Sequence, residues 1–271
     1  MRIFARAIAA FTLLAFMTAS CSTGGTEQAR NISSSAPTSH ACSMTVADEV
    51  MPAASPSRRL SRVAEQTRQS SVKVYDIDTR VRGSGTYFEF EGRHLVITSA
   101  HVLESSNIPF LRVEVPSTGE MVLAPVVYAL LDEENDFAIA VLPQELPGRT
   151  PMSLKMREDH SGLIGETLVY TGHPASHEFL TIFGQVAGLA DNTNVLMHSY
   201  AWMGASGSAV FDSRGRLVGI LRAVDVNYGP IVPQITEDIV WLSPSSGINL
   251  ERLRLILEII TLAEEVEGLE D

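Results

Sequence analysis

The sequence predicts an all-β protein of two six-stranded antiparallel β-barrels followed by a C-terminal α-helix. Two sets of short runs rich in Val, Ile, Tyr, Phe and Thr recur between Gly, Pro, Asn and Asp residues, which is typical of strands and their turns. No long helical pattern separates these runs, so a parallel sheet with crossover helices is not expected. Helical patterns occur only just before the first set and after the second.

Composition narrows the class of protein. The chain has 271 residues, of which 45% are hydrophobic and 19% are charged, as in a soluble globular protein with a large core. Its formal net charge is −12 at pH 7, so the basic surface with which proteins bind nucleic acids is not expected. The two cysteines, Cys21 and Cys42, do not suggest a framework of internal disulfides.

The first twenty residues have the pattern of an export signal. Arg2 and Arg6 precede an apolar run at about 7–17 and then small residues, and the run is too short for a comfortable membrane span. Thr-Ala-Ser before Cys21 resembles a bacterial lipoprotein signal, in which the cysteine becomes the lipidated first residue of the mature chain. Serine rather than aspartate at position 22 resembles sorting to the outer membrane. We therefore expect a membrane-anchored lipoprotein of the bacterial cell envelope, on the outer-membrane or periplasmic side, with an ordinary cleaved signal peptide as the alternative.

A tether and a short helix are expected before the barrels. Residues 21–57 are rich in Ser, Thr, Ala, Gly and Pro, and they cannot bury enough apolar surface to order themselves. Cys42 lies in this tether and is interpreted as a free thiol. Apolar residues at helical spacing then predict a helix over 57–68 with Ser57 as its N-cap. Residues 58–271 are predicted to form a single folded domain.

The strand pattern divides into two sets. The first, at about 72–142, contains six predicted strands: 72–77, 85–90, 94–99, 111–115, 121–131 and 137–142. A Pro- and Gly-rich connection follows at 143–151. The second set, at about 160–245, contains six more: 166–171, 179–189, 194–200, 208–212, 217–224 and roughly 235–241. Each set has enough strands to close one antiparallel barrel.

The C-terminal region predicts an amphipathic helix at about 249–266. Its apolar residues recur at helical spacing: Leu250, Leu253, Ile256, Leu257 and Ile260. Such a stripe normally packs on the body of a protein. A partner-binding or membrane-surface helix is the alternative, and the acidic residues of 264–271 argue against it.

The most distinctive stretch is the small-residue turn at 203–210, Met-Gly-Ala-Ser-Gly-Ser-Ala-Val. A serine hydroxyl is a weak nucleophile unless a base removes its proton, and the oxyanion that it creates needs preorganised N–H donors. Gly204 and Gly207 allow the backbone around Ser206 to point such donors inward. A Gly- and Ser-rich hairpin turn is the alternative, so the catalytic interpretation requires a base and an orienting acid.

The histidines exclude two classes of enzyme, and all seven precede Ser206. An esterase of the α/β-hydrolase type needs its histidine after the serine and a glycine where Ser208 stands. A zinc hydrolase built on His173 and His177 would need a glutamate that is missing, and Pro174 would interrupt its helix. No metal site is therefore predicted.

His101 is the best candidate for the base, because it follows a predicted buried strand and a small-residue turn. A capping or partly buried structural histidine is the alternative. Asp136 is the best candidate for the orienting acid, since it is the last acid before an apolar strand and can be held buried against an imidazole. Asp132 and the glutamates beside it are interpreted as a solvated loop. The chain order is then His101, Asp136, Ser206.

Five motifs occur in one order along the chain. They are Gly-Ser-Gly-Thr-Tyr-Phe at 83–88, Thr-Ser-Ala-His-Val at 98–102, Asp-Phe-Ala-Ile at 136–139, Gly-Ala-Ser-Gly-Ser-Ala-Val at 204–210 and Leu-Val-Gly-Ile at 217–220. Together they resemble the trypsin-like serine endopeptidases, most closely bacterial HtrA-type protease domains without a PDZ domain. The resemblance covers about 72–257.

This resemblance implies a chymotrypsin-type fold with the active site in the cleft between the barrels. It assigns His101 as the general base, Asp136 as the orienting acid and Ser206 as the nucleophile. The amides of Gly204 and Ser206 would form the oxyanion hole. Such chemistry acts on polypeptide substrates and needs no metal or organic cofactor.

Two positions depart from the family pattern. Ser208 and Ala209 stand where many relatives have glycine and proline. We call the turn at 203–210 the oxyanion turn. Its collapse at these two positions would leave a catalytically silent, protease-like lipoprotein that binds envelope proteins or peptides. This binding protein is the alternative to an active endopeptidase.

Four further residues are expected to bind substrate. The strand containing Arg222, Ala223 and Val224 should edge the cleft, where an extended peptide can pair with it. Tyr200 is expected near the base of the primary pocket, where no acid is present to favour basic side chains. Val224 at a position where many relatives have glycine would make the pocket shallow. We predict a preference for small or medium apolar side chains.

Overall fold

The computed structural model describes residues 56–103, 109–190, 193–228 and 233–267. The expectations about the signal peptide, about lipidation at Cys21 and about the tether through residue 55 with its Cys42 lie outside these ranges. No helix in the described ranges is long and apolar enough to cross a membrane.

Six strands close the first barrel, as the sequence predicts. They are β1 (Ser71–Asp76), β2 (Arg82–Phe90), β3 (Arg93–Thr98), β4 (Phe110–Val115), β5 (Glu120–Leu131) and β6 (Asp136–Val141). Their order around the barrel is β1-β4-β5-β6-β3-β2, and β1 pairs with β2 to complete it. All of these pairs are antiparallel.

A two-residue strand that the sequence pattern does not predict, β7 (Met152–Ser153), follows the first barrel. It pairs parallel with β2, with Phe88 opposite Met152. Two residues are too few to show an alternating pattern, so this strand is recognisable only from its pairing. It fastens the connection between the barrels to β2.

The second barrel is also closed and also has six strands, as predicted. They are β8 (Thr167–Gly172), β9 (Leu180–Ala190), β10 (Asn194–His198), β11 (Ala209–Phe211), β12 (Leu217–Tyr228) and β13 (Pro233–Pro244). The order around this barrel is β10-β13-β12-β11-β8-β9. The predicted all-β, chymotrypsin-type architecture is therefore confirmed.

Each barrel has its own apolar interior, and a third cluster is shared between them. The continuous apolar run of β6 follows from this arrangement. Every residue of β6 is buried, because Phe137 and Ile139 belong to the shared cluster while Ala140 faces the interior of the first barrel. A strand covered on both faces has no polar side to alternate with.

Two helices pack on the shared cluster. Helix α1 (Arg58–Ser70) begins after the predicted cap, with the Leu60 N–H donating to Ser57 Oγ over 3.2 Å. Leu60 is buried in the shared cluster. Helix α2 (Leu250–Glu267) places Leu253 and Leu257 in the same cluster. The prediction that the C-terminal helix packs on the barrels is confirmed.

Candidate active site

Strand pairing brings His101 and Asp136 together. β3 and β6 are antiparallel neighbours with Thr98 opposite Ala138, so the end of β3 lies beside the start of β6. His101 lies in the 3₁₀ turn Ala100–Leu103 that follows β3, and Asp136 is the first residue of β6. The sequence places the two residues 35 positions apart, and the sheet register makes them neighbours.

Two hydrogen bonds join Asp136 to His101. The side chain of Asp136 is buried, with 1% of the residue exposed. Its Oδ2 lies 2.6 Å from His101 Nδ1, and its Oδ1 accepts from the His101 backbone N–H over 2.9 Å. A carboxylate can only accept, so Nδ1 carries the imidazole proton and Nε2 keeps its lone pair. The Asp136 N–H donates to Ser243 Oγ over 2.9 Å, which ties this acid to the second barrel.

The turn that contains Ser206 is pressed against the first barrel. The Ser84 N–H donates to the Ser206 carbonyl over 2.7 Å, and the Gly207 N–H donates to the Leu221 carbonyl over 2.8 Å. Gly207 has φ +89°, and a Cβ there would lie 2.1 Å from Thr98 Oγ1. Only glycine fits so close an approach. The turn therefore lies directly beside the segment that leads into His101.

Two amides in this turn are free to bind an oxyanion. The N–H groups of Ala205, Gly207 and Ser208 all donate to carbonyl oxygens. In the described part of the chain, the N–H groups of Gly204 and Ser206 donate to none. An oxyanion hole requires donors of this kind, unused in the resting protein and fixed in direction.

The direction of the Gly204 amide is set by a neighbouring loop. The Met203 carbonyl accepts a hydrogen bond of 2.9 Å from the Ala175 N–H. In a trans peptide the C=O and N–H groups point in opposite directions, so the Gly204 N–H points away from Ala175. Ser208 donates its hydroxyl to the Ala205 carbonyl over 2.8 Å. This serine therefore bonds within the turn and supports its shape.

The proposed base and nucleophile are not hydrogen-bonded to each other in this structure. Among the described residues, the His101 ring and the Ser206 hydroxyl form no hydrogen bond with each other. The His101 side chain is about a third exposed, and Ser206 is half-buried. Hydrogen bonds of this kind are often long in a free enzyme and shorten when substrate binds, so the arrangement is compatible with a resting site.

The structure gives Arg222 a contact that sequence reasoning did not identify. Its guanidinium donates to the carbonyls of Glu133 and Asp132 over 2.7 and 3.1 Å. It thereby braces the loop that leads into Asp136, and any part that it has in substrate binding stays a prediction. Tyr200 is 42% exposed. Ala223 is exposed and Val224 is half-buried on β12. Both pair with β13 on one side, and the pairing of β12 with β11 on the other side ends at Ile220.

His173 is a buried polar residue beside the turn that contains Ser206, and the sequence pattern did not predict this position. It is 4% exposed. Its Nδ1 accepts from the Phe179 N–H over 3.3 Å and its Nε2 lies 3.0 Å from Ser71 Oγ. The ring therefore carries its proton on Nε2. Burial, together with the positive charge of Lys73, lowers the pKa of His173 to about 3.

Acidification is expected to destabilise the fold through His173. The unfolded chain takes up a proton on this residue near pH 6.5, whereas the folded chain does so only near pH 3. Between these values the unfolded state binds the extra proton, so the free energy of unfolding should fall by about 1.4 kcal/mol per pH unit as the pH decreases. Urea unfolding from pH 7 to pH 4 measures this slope. In His173→Gln the slope should be smaller by about 1.4 kcal/mol per pH unit, because one proton fewer is taken up on unfolding. Equal slopes in the two proteins would contradict the lowered pKa of His173.

The sequence matches a family model described as trypsin-like peptidase domain over residues 83–220, just over half of the chain. These limits run from the Gly-Ser-Gly motif of β2 to β12 and include His101, Asp136 and Ser206. A comparison with curated proteins gave no match.

Proteases from two bacteria are among the solved structures that are similar to this chain. Two structures of the Rv3671c protease of M. tuberculosis H37Rv, both in the inactive form and one a serine-to-alanine mutant, are 21% identical to this chain, with TM-scores of 0.53 and 0.52. Each match covers 72% of this chain, and 94% and 92% of the respective structures. The serine endoprotease of Yersinia pestis is 18% identical with a TM-score of 0.52, over 71% of this chain and 64% of that one. At these identities the likeness shows the fold.

Proposed function

This chain belongs to the trypsin-like peptidase domain family, and we propose that it is a serine endopeptidase that cleaves polypeptides with Ser206 as nucleophile, His101 as general base and Asp136 as orienting acid. The observation that carries this assignment is the hydrogen-bonded His101–Asp136 pair beside a turn whose Gly204 and Ser206 N–H groups donate to no carbonyl oxygen of the described residues. Base, orienting acid, serine and oxyanion donors are the complete set that acyl transfer requires.

The proposed reaction proceeds through an acyl-enzyme. His101 Nε2 takes the hydroxyl proton of Ser206 as its oxygen attacks the scissile carbonyl carbon, and the Gly204 and Ser206 amides stabilise the oxyanion that forms. The imidazolium, stabilised by Asp136, then gives its proton to the leaving amine, and the C–N bond breaks. Water attacks the ester with the same base, which releases the carboxylic acid and restores the serine hydroxyl.

Substrate recognition is proposed to use residues 222–224 of β12. Ala223 and Val224 pair with β13, and all three residues lie beyond the pairing of β12 with β11. An extended peptide can hydrogen-bond to the backbone of Ala223 and place the side chain before the scissile bond near Tyr200 and Val224. Neither position carries a charge, and Arg222 is engaged with carbonyl oxygens of the first barrel. The pocket should therefore accept small or medium apolar side chains.

Both cleavage and preference can be tested in one experiment. The full chain is incubated with a peptide library and the new termini are sequenced by mass spectrometry. We expect cleavage after Ala, Val, Leu or Met. Cleavage after Arg, Lys, Asp or Glu would contradict the proposed pocket, and no cleavage by folded protein would contradict the proposed activity.

Export and lipid anchoring at Cys21 are proposed on the N-terminal sequence pattern alone. The intact mass of protein extracted from bacterial membranes tests this, because diacylglycerol and a fatty acid on Cys21 add a defined mass. An unmodified terminus elsewhere would favour the ordinary signal peptide.

A second function is favoured by one observation, the missing hydrogen bond between His101 and Ser206. A protein that kept this geometry with substrate bound would bind peptides without cleaving them. Retained peptide binding with no turnover in the library experiment would support that alternative.

A further inference from the structure

The oxyanion turn is held by its carbonyl groups. The four successive carbonyls of residues 203–206 each accept a hydrogen bond, from the Ala175 N–H, the Ser84 hydroxyl, the Ser208 hydroxyl and the Ser84 N–H respectively. Because C=O and N–H point in opposite directions within a peptide unit, fixing the carbonyls of Met203 and Ala205 also fixes the N–H groups of Gly204 and Ser206. The bond from Ser84 to the Gly204 carbonyl holds the next peptide, between Gly204 and Ala205. The Ala205 carbonyl also accepts from the Ser208 N–H over 3.1 Å. Among these supports in the described part of the chain, Ser84 is the one side chain that reaches the turn from the first barrel.

The Ser84 hydroxyl accepts one hydrogen bond and donates another. Its Oγ accepts from the His173 N–H over 2.9 Å and donates to the Gly204 carbonyl over 2.7 Å. The first bond occupies an acceptor site on the oxygen and leaves the proton for the second. Ser84 is fully buried, so water cannot replace either partner without rearrangement.

The glycines on either side of Ser84 allow β2 to approach the oxyanion turn closely. A Cβ at Gly83 would lie 2.8 Å from the Ser206 carbonyl oxygen, and one at Gly85 would lie 2.8 Å from side-chain carbons of Val74 and Val96. The Gly-Ser-Gly motif therefore brings β2 against the turn with a single side chain at the point of closest approach. That side chain is short and has one proton to donate.

Gly204 needs such support. It has φ +98° and lacks a Cβ, so the peptides on either side of it can rotate at little steric cost. Ala175 holds the peptide before Gly204 and Ser84 holds the peptide after it. Without one of these bonds the Gly204 N–H would spend less time pointing toward the oxyanion position.

We propose that Ser84 is a positioning residue for the oxyanion hole: its hydroxyl keeps the Gly204 amide in the orientation that stabilises the tetrahedral intermediate. This inference rests on the proposed function. It assigns to Ser84 an effect on the rate of acylation that is separate from substrate binding and from the His101–Asp136 pair.

The test compares Ser84→Ala with Thr86→Val in the full chain. Thr86 is also a buried residue of β2, and its hydroxyl accepts from the Ala209 N–H over 3.2 Å. The Thr86→Val variant therefore loses a buried hydroxyl that does not bond to Gly204. A fluorophosphonate probe is used, because its phosphoryl oxygen also needs the oxyanion hole and no peptide substrate has to be known. The second-order labelling rate of Ser84→Ala should fall by about 10- to 100-fold, while that of Thr86→Val should stay within about threefold.

Two further readouts separate positioning from a loss of structure. The pH midpoint of labelling should be unchanged in Ser84→Ala, since His101 and Asp136 are untouched. On a peptide found by library cleavage, kcat should fall and KM should stay within about threefold. If Ser84→Ala does not fold, Ser84→Cys keeps the side-chain size with a weaker donor and should show the same pattern to a smaller degree.

The outcomes distinguish this inference from the proposed function. Wild-type protein that labels, together with Ser84→Ala that labels equally fast, would overturn the role of Ser84 and leave the peptidase assignment intact. Equal losses in Ser84→Ala and Thr86→Val would also overturn it, because the effect would then be general. Wild-type protein that does not label at all would contradict the proposed function itself.

Discussion

Replacement of Ser206 by alanine is expected to reduce kcat for peptide hydrolysis by about a million-fold, because the acyl-enzyme can no longer form. The effect on folding should be small. The Ser206 side chain is half-buried, and its hydroxyl makes no hydrogen bond within the described residues. We expect the free energy of unfolding to change by no more than about 0.5 kcal/mol. Turnover of a library-derived peptide and urea unfolding measure the two effects.

Ser213→Ala is the matched control, since Ser213 lies in the turn between β11 and β12 and has no part in the proposed chemistry. Its turnover should equal that of the wild-type protein. A Ser206→Ala variant that retained more than about a hundredth of the wild-type kcat would show that another group is the nucleophile.

Replacement of Asp136 by asparagine is expected to lower kcat by about ten-thousand-fold. The carboxylate accepts two hydrogen bonds from His101, one from the backbone N–H and one from Nδ1. An amide has only one oxygen, so its NH₂ group must face one of these donors. If the NH₂ group faces the ring, the imidazole proton is driven to Nε2, and the base loses the lone pair that it needs.

Peptide turnover between pH 6 and pH 9 tests this expectation, and Glu133→Gln in the preceding loop is the control because its side chain is exposed. The control should keep the wild-type rate. Asp136→Asn with a rate within tenfold of wild type would mean that His101 does not depend on this acid.

The two-barrel fold was predictable because its strands carry local signals. β4 alternates between partly exposed and buried residues, and the first half of β5 alternates between exposed and buried ones. β6 is a continuous apolar run because it is covered on both faces. Ser57 was predictable as a cap because a single residue type at one position determines it. β7 has two residues and was missed, since its existence depends on a pairing with β2 that leaves no local pattern.

Some residues of the candidate site were predictable from the sequence and others were not. His101, Asp136 and Ser206 stand in motifs whose order is visible in the chain. The supports of the oxyanion turn, Ser84 and Ala175, lie 120 and about 30 residues before Gly204. Their contribution comes from an approach of distant backbone segments, which a sequence does not display. Arg222 shows the same limit, because its partners are backbone carbonyls 89 and 90 residues away.

Active-site labelling with a fluorophosphonate, followed by mass-spectrometric mapping of the modified residue, tests the central assignment most directly. A fluorophosphonate reacts only with a serine whose proton is removed by a nearby base. The geometry predicts one label per chain, on Ser206, and no label on Ser206→Ala under the same conditions. Folded wild-type protein that remains unlabelled, or a label that maps elsewhere and persists in Ser206→Ala, would contradict the assignment.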